Sequence, residues 1–312
     1  LRRQRQPCQF AGKIRLPRIA ALRSVALTVP DLAAAETFYT QVWRLAVADR
    51  APGVLYLRGS GGDHHLLALH QQPGTPQILQ VTLRARSADA LAAATAATPA
   101  AGGVVEHGPA PATDPAGGLT VVLRDPHGRR YAVVHGDQRR RADDPPPPDM
   151  PQRLAHAVLN SHDVPVAQGF LERALGFVLA DRTRIMAFMN CDSDHHTLAI
   201  GDTDNDALNH VAFVVPTLDA VMRGGGRMQD AGHGIEWGPG RHGPGDNAFN
   251  YFIDPFGIVI EYTAEVEQID ARYRVRGPSE WTWPPGRVDQ WGISAPPSAR
   301  LKTAQRAVLF RR

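Results

Sequence analysis

Hydrophobic residues recur along this chain with two different periods, one typical of strands and the other typical of helices. Apolar runs at 23–29 and 154–160 predict strands that end at polar turns. A helix is predicted after each of them, because apolar residues follow at the spacing of a helix that packs on a sheet. These residues are Ala35, Phe38, Tyr39 and Val42 in the first helix, and Ala167, Phe170, Leu171 and Ala174 in the second.

The same succession of elements then continues in both halves of the chain. Each helix leads into a strand that ends Ala-Asp-Arg, at 48–50 and 180–182, and then into two further strands. A new strand, helix and strands follow. Their predicted bounds are 78–84, 87–97, 118–123 and 130–135 in the first half, and 208–215, 217–231, 248–253 and 258–263 in the second. This order predicts an α+β fold with two tandem domains, each made of two βαβββ units.

Two segments lack the pattern and set the domain boundaries. The run of four prolines at 145–148 can join neither a helix nor a sheet, which predicts a linker. The Arg-rich segment at the start lacks the apolar stretch of a secretion signal and predicts a disordered extension. The predicted division is an extension at 1–18, a first domain at 19–137, a linker at 138–152, a second domain at 153–264 and a tail at 265–312.

The tail is rich in tryptophan and proline. It carries Trp281, Trp283 and Trp291 on an otherwise polar segment. A surface extension is one interpretation, but three tryptophans favour a lid that packs over the second domain.

Composition and charge exclude several function classes. The 312 residues have room for two ordinary domains, and 43% hydrophobic with 21% charged residues is a globular composition. The net charge of +3 is spread along the chain, whereas a nucleic-acid site would cluster Lys and Arg with aromatic residues. Apolar runs fall short of the ~18 residues that a membrane span needs. Cys8 and Cys191 form neither a metal nor a redox pattern. We therefore expect a cytoplasmic protein that binds neither nucleic acid nor membrane.

The two halves of the chain align at an offset of about 130 residues, and three aligned positions differ in a way that matters chemically. At each of them the second half has a residue that can ligate a metal and the first half does not. The pairs are Ser24 and His156, Gln80 and His210, and Ala132 and Glu261.

Two imidazoles and one carboxylate are a metal-binding set. Because a strand alternates its faces, one inward position on each of three strands brings distant ligands together. Any one of these residues alone would be interpreted as structural. Their joint loss in the sister copy predicts one metal site, in the second domain. Two histidines and one carboxylate leave positions open for substrate and oxygen, and favour non-haem Fe(II), with Mn(II) as the nearest competitor.

One long motif makes the chain similar to a known family. Gly-Arg-His at 240–242, Tyr-Phe-Ile-Asp-Pro-Phe-Gly at 251–257 and Glu261 resemble the signature of type I extradiol ring-cleaving dioxygenases, in the vicinal oxygen chelate superfamily. Asn250 departs from the signature, which prefers an apolar residue there. The stretch at 238–249 most resembles the homoprotocatechuate 2,3-dioxygenase branch. The resemblance covers roughly residues 20–295.

The resemblance implies a fold and a set of ligands. Pairs of βαβββ units in this family form a half-open barrel. Its ligands come from the first strand of one unit and from the first and last strands of the next. His156, His210 and Glu261 match these places. The family also implies a homo-oligomer.

The resemblance further implies roles for residues around the metal. His196 matches the catalytic acid/base, and the same strand places His195 on the other face, where a change is expected to be mild. A surface histidine remains the alternative for His196, because a His-His pair persists at 64–65. His242 and Tyr251 match the donors that hold the bound catecholate and orient oxygen. The expected substrate-binding residues are Phe188, Trp237, Asp246, Asn247 and Val288, with open roles for Asp246 and Asn247.

The implied reaction is ring cleavage of a catechol-type substrate by O₂ beside the diol, which gives a hydroxymuconic semialdehyde type of product in aromatic degradation. The two arginines that pair with the substrate carboxylate in the homoprotocatechuate branch align with Trp237 and Val288. That replacement argues for an uncharged substituent, unless Arg241 or Arg287 supplies the charge from another direction.

Two other functions on the same fold remain as alternatives. A glyoxalase-like isomerase would use four ligands with two glutamates, which Gln80 and Ala132 do not supply. A non-catalytic aromatic-binding or drug-binding protein would have no need of a ligand triad with His196, His242 and Tyr251.

Overall fold

The computed structural model of the chain describes residues 18–312, so all but the last residue of the extension predicted at 1–18 lies outside the described residues. The chain forms two mixed sheets, one after the other in sequence. Helices connect some of the strands within each sheet. Within the described range, no helix combines the length and the apolar character that a membrane crossing requires.

The first sheet has eight strands. Its elements are β1 (Ile19–Val29), α1 (Leu32–Thr37) continued by a π-helical turn (Phe38–Val42), β2 (Ala46–Ala51), β3 (Val54–Arg58), β4 (Leu67–Gln71), β5 (Ile78–Ala85), α2 (Ala88–Ala97) followed by a 3₁₀ turn (Pro99–Ala101), β6 (Val104–Pro111), β7 (Leu119–Arg124) and β8 (Arg130–His135). The spatial order is β2-β3-β4-β1-β5-β8-β7-β6. β1 runs parallel to β4 and antiparallel to β5, so two βαβββ units meet at the centre.

The second sheet repeats this arrangement. Its elements are β9 (Arg153–Ser161), α3 (Val164–Phe170) continued by a π-helical turn (Leu171–Leu175), β10 (Val178–Arg182), β11 (Met186–Asn190), β12 (Leu198–Asp202), β13 (Ala207–Val214), α4 (Leu218–Asp230), β14 (Trp237–Arg241), β15 (Ala248–Ile253) and β16 (Val259–Ala264). The order is β10-β11-β12-β9-β13-β16-β15-β14. The outer strands stay apart in both sheets, which confirms the predicted fold of paired βαβββ units in half-open barrels.

Two strands that the sequence analysis did not locate, β6 and β14, lie at sheet edges. β6 is exposed along most of its length and contains Gly108 and two prolines, so it shows no apolar alternation. β14 consists of Trp-Gly-Pro-Gly-Arg, a composition typical of turns. Pairing with a neighbouring strand, rather than local preference, makes both of them strands.

The tail contains two elements that the sequence did not predict. They are a helix, α5 (Ala299–Ala304), and a short strand, β17 (Val308–Leu309), which pairs antiparallel with β13. Leu301 and Val308 are buried, so the end of the chain is packed onto the second sheet.

The two sheets share one hydrophobic core. On one side, the ring of Trp43 stacks on that of Tyr262 at a centroid distance of 3.6 Å, and the Tyr262 hydroxyl donates to the Trp43 carbonyl oxygen at 2.7 Å. Next to this pair, the Tyr39 hydroxyl donates to the buried carboxylate of Asp254 at 2.9 Å. The turn after α1 therefore packs on the second unit of the second sheet.

A buried arginine joins the sheets on the other side. The guanidinium of Arg129 donates to Asp125 at 2.7 Å within the first sheet, and to the Asn160 carbonyl oxygen at 2.9 Å and Asp206 at 2.6 Å within the second. Its side chain is 0% exposed. The guanidinium of Arg129 therefore hydrogen-bonds to three acceptors on both sides of the boundary between the sheets.

We expect Arg129→Met to destabilise the protein by about 3–5 kcal/mol, because the buried Asp125 carboxylate would lose its partner. The control is Arg50→Gln, which breaks an ion pair with Glu36 whose side chains are 61% and 36% exposed. That change should leave the free energy of unfolding almost unchanged, because solvent screens an exposed ion pair. Chemical denaturation of both variants measures the difference, and equal losses would contradict the role assigned to Arg129.

Candidate metal centre and active site

Three adjacent strands place His156, His210 and Glu261 on one face of the second sheet. β13 lies between β9 and β16, and its residue Ala212 pairs with both His156 and Glu261. His210 lies two residues before Ala212 and therefore points to the same side as its neighbours' side chains. The pairing register alone brings together three residues that are up to 105 positions apart in sequence.

The three donor atoms converge closely. The Nε2 atom of His156 lies 3.3 Å from a carboxylate oxygen of Glu261 and 3.3 Å from Nε2 of His210, and Nε2 of His210 lies 3.1 Å from the same oxygen. Donors that bind one ion at about 2.0–2.2 Å and at right angles lie about 3 Å apart. All three residues are buried. The donor set and its spacing therefore fit one divalent metal ion.

The charge state of the set suits a metal as well. Burial acts to raise the pKa of Glu261, but hydrogen bonding to His156 and His210 outweighs it and holds that pKa below its ordinary value. Burial lowers the pKa of His210. The site thus combines an ionised carboxylate with neutral imidazole, the protonation state that metal binding requires.

Neighbouring amides orient two of the ligands. Nδ1 of His210 lies 2.8 Å from Oδ1 of Asn209, whose amide donates in turn to Asn160 at 3.0 Å. A proton on Nδ1 leaves Nε2 free to bind metal. On the other side, the amide of Asn247 lies 3.4 Å from Glu261 and donates to Thr263 at 2.7 Å. Sequence reasoning missed Asn160, Asn209 and Thr263, because the contacts of Asn209 with Asn160 and of Asn247 with Thr263 join separate segments of the chain.

His196 lies beside the ligand set. Its ring centroid is 4.4 Å from that of His156 and 5.0 Å from that of Phe188. Burial, and then the imidazole of His156, lower the pKa of His196 well below its ordinary value. A neutral imidazole in this position can accept a proton from a bound ligand.

His195, for which a mild effect of substitution is predicted, has two polar neighbours. It is fully buried, with Nε2 at 3.0 Å from a carboxylate oxygen of Asp181 and Nδ1 at 3.1 Å from Nδ1 of His196. Tyr273 of the tail also donates to Asp181, at 2.9 Å. The contact with His195, which is itself held by Asp181, therefore fixes the ring of His196. The alternation of side chains along a strand could not predict this contact.

His242 and Tyr251 face each other on the opposite side of the ligand set. Nε2 of His242 lies 3.0 Å from the Tyr251 hydroxyl, which is 3.4 Å from Nε2 of His210. Burial lowers the pKa of His242 to about 4. Burial, and then the charge of Glu261, raise the pKa of Tyr251 well above its ordinary value. Both groups are therefore neutral hydrogen-bonding partners at neutral pH.

These groups open onto one cavity of about 880 Å³. His156, His210, His196, His242 and Tyr251 line it, together with three of the five expected substrate-binding residues, which are Phe188, Trp237 and Val288.

Asn247 and Asp246 are placed differently. Asn247 is fully buried and is held between Glu261 and Thr263, away from the residues that line the cavity in the described part of the chain. Asp246 has a left-handed backbone (φ +46°), and its carboxylate accepts from Gln290 of the tail at 2.8 Å. Their positions suit a role in holding Glu261 and the tail rather than the substrate.

The tail forms part of the cavity wall. Trp281, Trp283 and Val288 line the cavity, whereas Trp291 lies over the guanidinium of Arg241 at 4.9 Å. Arg241 also pairs with Glu265, so its charge is already engaged. Of the two arginines considered as alternative charge donors, Arg287 is the one that lines the cavity.

The first sheet has a smaller cavity, of about 500 Å³, at the equivalent place. Ser24, Gln80 and Ala132 line it, as the alignment of the two halves predicts. Here the buried guanidinium of Arg23 lies 2.9 Å from Ser24 Oγ and 2.8 Å from Nε2 of His65. A fixed positive charge thus occupies the place where the second sheet gathers its metal ligands.

A second group of possible ligands lies at the boundary between the sheets. It consists of His127, His162 and Asp206. The guanidinium of Arg129 donates to Asp206 at 2.6 Å and lies 3.1 Å from Nδ1 of His127. Because the buried guanidinium of Arg129 already contacts Asp206 and His127, we assign no metal to this group.

Comparison with known proteins agrees with the fold. The family model of the Glyoxalase/Bleomycin resistance protein/Dioxygenase superfamily matches residues 21–133 and 153–262. Metapyrocatechase 2 of Cupriavidus necator is 34% identical over 180 residues, which are 55% of this chain and 51% of that protein. The chain thus matches about half the length of this curated relative.

Solved structures cover more of the chain. A Mn(II)-bound glyoxalase from Novosphingobium aromaticivorans has 32% identity and a TM-score of 0.83, and the match covers 92% of this chain and 94% of that one. Homoprotocatechuate 2,3-dioxygenase from Arthrobacter globiformis has 24% identity and a TM-score of 0.76, with 92% and 98% covered. The second similarity is one of fold.

We expect one tightly bound divalent metal ion per chain, held by the second sheet. Glu261→Ala and His210→Ala should abolish binding, because each variant keeps only two of the three protein ligands. Ser24→Ala, in the first sheet at the position that aligns with the ligand His156, should leave the metal content unchanged. Elemental analysis after anaerobic reconstitution and dialysis measures this, and two retained ions per chain would refute it.

Asn247→Ala should weaken metal affinity by about 10- to 100-fold, because the amide that orients the Glu261 carboxylate is lost. The control is Asn250→Ala, a buried asparagine whose amide donates instead to the Val221 carbonyl oxygen at 3.3 Å. Both changes remove a buried amide, but only the first should alter the dissociation constant in a metal titration. Equal affinities in the two variants would count against the positioning role.

Proposed function

The chain belongs to the Glyoxalase/Bleomycin resistance protein/Dioxygenase superfamily, and on this premise we propose that it is an extradiol dioxygenase, which cleaves a catechol-type ring with O₂ at a mononuclear Fe(II). The observation that carries the proposal is a set of two histidines and one glutamate whose histidines line one cavity together with His196, His242 and Tyr251. The similarity to a metapyrocatechase supports it.

The ligand set explains why an open metal site is expected. Three protein donors on one face leave the opposite positions for other ligands, and this arrangement suits Fe(II). When bound, the metal would hold the diol and O₂ together and pass electron density between them. His156, His210 and Glu261 are the residues that would hold it. The Mn(II)-bound relative makes Mn(II) the competing ion.

His196 supplies the proton transfer. Its neutral ring lies on the cavity wall beside His156, and His195 with Asp181 holds it from behind. A catechol must lose at least one proton as it binds, and the ring opening must receive one. A neutral imidazole that is held in place can accept the first proton and return it later.

Tyr251 and His242 position the other end of the diol. The Tyr251 hydroxyl lies 3.4 Å from a ligand nitrogen and 3.0 Å from His242, so a substrate oxygen near the ligand set would meet its O–H group. Their raised and lowered pKa values keep both groups uncharged. Neutral donors stabilise an anionic substrate oxygen without neutralising it by proton transfer.

The wall beside this pair is aromatic. Trp237 lies 4.9 Å from the ring of Tyr251 and 5.1 Å from that of His242. A carboxylate attached close to the diol ring would be buried here without a cationic partner, which is unfavourable. We therefore assign an uncharged group to the part of the substrate that is next to the diol.

A glyoxalase-like reaction is the second candidate, because the Mn(II)-bound relative carries that name at 32% identity. Against it, the ligand group around His156 has three members among residues 18–312. Metal analysis and an assay with catechol and O₂ separate the two functions: oxygen uptake with a yellow product supports ring cleavage, and isomerisation of a hemithioacetal without oxygen uptake would overturn it.

We expect His196→Gln to retain the metal but to lose about 10²- to 10⁴-fold in kcat, the contribution of a positioned acid/base. The same substitution at the repeat-equivalent residue, His65→Gln, should leave kcat unchanged, because that histidine faces Arg23 instead. Oxygen consumption together with metal content measures both effects. Full activity in His196→Gln would remove this residue from the mechanism.

A further inference from the structure

The cavity is much larger than a single catechol ring needs. Its volume of about 880 Å³ lies near the upper end of the 300–1,000 Å³ range typical of pockets for drug-sized ligands. Besides Trp237, it is lined by Trp281 and Trp283 of the tail. Space and aromatic surface therefore remain after the diol has been placed at the ligand set.

Positive charge collects on the same cavity from three separate elements. Arg184 lies in the turn between β10 and β11, Arg287 in the tail, and Lys302 in α5, and all three line the cavity. Asp202 is the acidic residue that lines it with them. None of the three cations has a carboxylate within ion-pair distance among residues 18–312, and Arg287 makes one long contact with the Gln290 carbonyl oxygen (3.5 Å).

These three cationic residues are exposed, whereas the metal ligands are buried. The charge is therefore at the solvent side of the cavity and the neutral aromatic wall is near the diol. Several cations around a partly enclosed opening attract an anion and can form charge-assisted hydrogen bonds with it.

On the basis of the proposed function, we infer that the substrate class is a catechol with a bulky aromatic substituent whose far end carries a carboxylate. The diol occupies the ligand set, the substituent packs against Trp237, Trp281 and Trp283, and the carboxylate reaches the group formed by Arg184, Arg287 and Lys302. An acid placed directly beside the diol ring would meet Trp237 instead. The cavity therefore favours substrates whose carboxylate lies far from the diol over substrates whose carboxylate lies next to it.

The test compares four catechols under identical conditions. They are a catechol with a 4-carboxyphenyl substituent, its methyl ester, 4-methylcatechol, and 3,4-dihydroxyphenylacetate, which carries its acid close to the ring. The carboxyphenyl acid should exceed its ester in kcat/KM by about 10-fold or more, which corresponds to about 1.4 kcal/mol. It should exceed the short acid by a larger factor. High salt should reduce the preference for the acid over the ester.

Removing the cations should remove this preference. In the triple variant Arg184→Gln/Arg287→Gln/Lys302→Gln, the acid and the ester should be used equally well. The control is Arg50→Gln/Arg223→Gln/Arg272→Gln, which removes the same charge from exposed arginines that do not line the cavity. It should keep the preference for the acid.

A binding measurement separates this inference from the proposed function. Quenching of tryptophan fluorescence in the metal-loaded protein without O₂ reports occupancy of the cavity and needs no turnover. Turnover of 4-methylcatechol with no difference between acid and ester would overturn the inference and leave the proposed function intact. Binding of the acid in preference to the ester without turnover of any catechol would overturn the proposed function instead. Absence of that preference in both measurements would refute the inference.

Discussion

The second sheet is organised around one buried negative charge. The Glu261 carboxylate is fully buried, and a lone buried carboxylate is costly unless it is paired or binds a metal. Two imidazoles at 3.1 Å and 3.3 Å, and the amide of Asn247, surround it. These three partners come from three different parts of the chain, so the strand order and register must be correct before the charge is tolerated.

The first sheet shows what the same fold does without that charge. It keeps the strand order and the cavity, but a guanidinium from Arg23 lies where the ligands would converge, and Asp114 binds this group through two hydrogen bonds. Burial lowers the pKa of His65 to about 2, so this histidine remains a neutral neighbour of the guanidinium. The first sheet thus has the guanidinium of Arg23 at the place where the second sheet has residues that can bind a metal cation.

Much of this could be predicted from the sequence, because duplication provides an internal comparison. The paired βαβββ units and the three ligand positions follow from aligned segments. The groups that orient the ligands could not be found in this way, since the contacts of Asn209 with Asn160 and of Asp181 with His195 join separate segments of the chain. The edge strands β6 and β14 were missed because they form only by pairing with a neighbouring strand. The two short elements of the tail were missed because they form by packing onto the second sheet.

The glycine-rich motif before the last two strands has a packing role besides its role in turns. A Cβ atom at Gly243 would lie 2.4 Å from the ring of Trp283, and one at Gly245, where φ is +88°, would lie 2.9 Å from the ring of His196. Contacts this close are possible only without a side chain. The loop therefore touches the cavity wall of the tail at one glycine and the candidate acid/base at the other. Because interiors are close-packed, the tail, the loop and His196 must be positioned together.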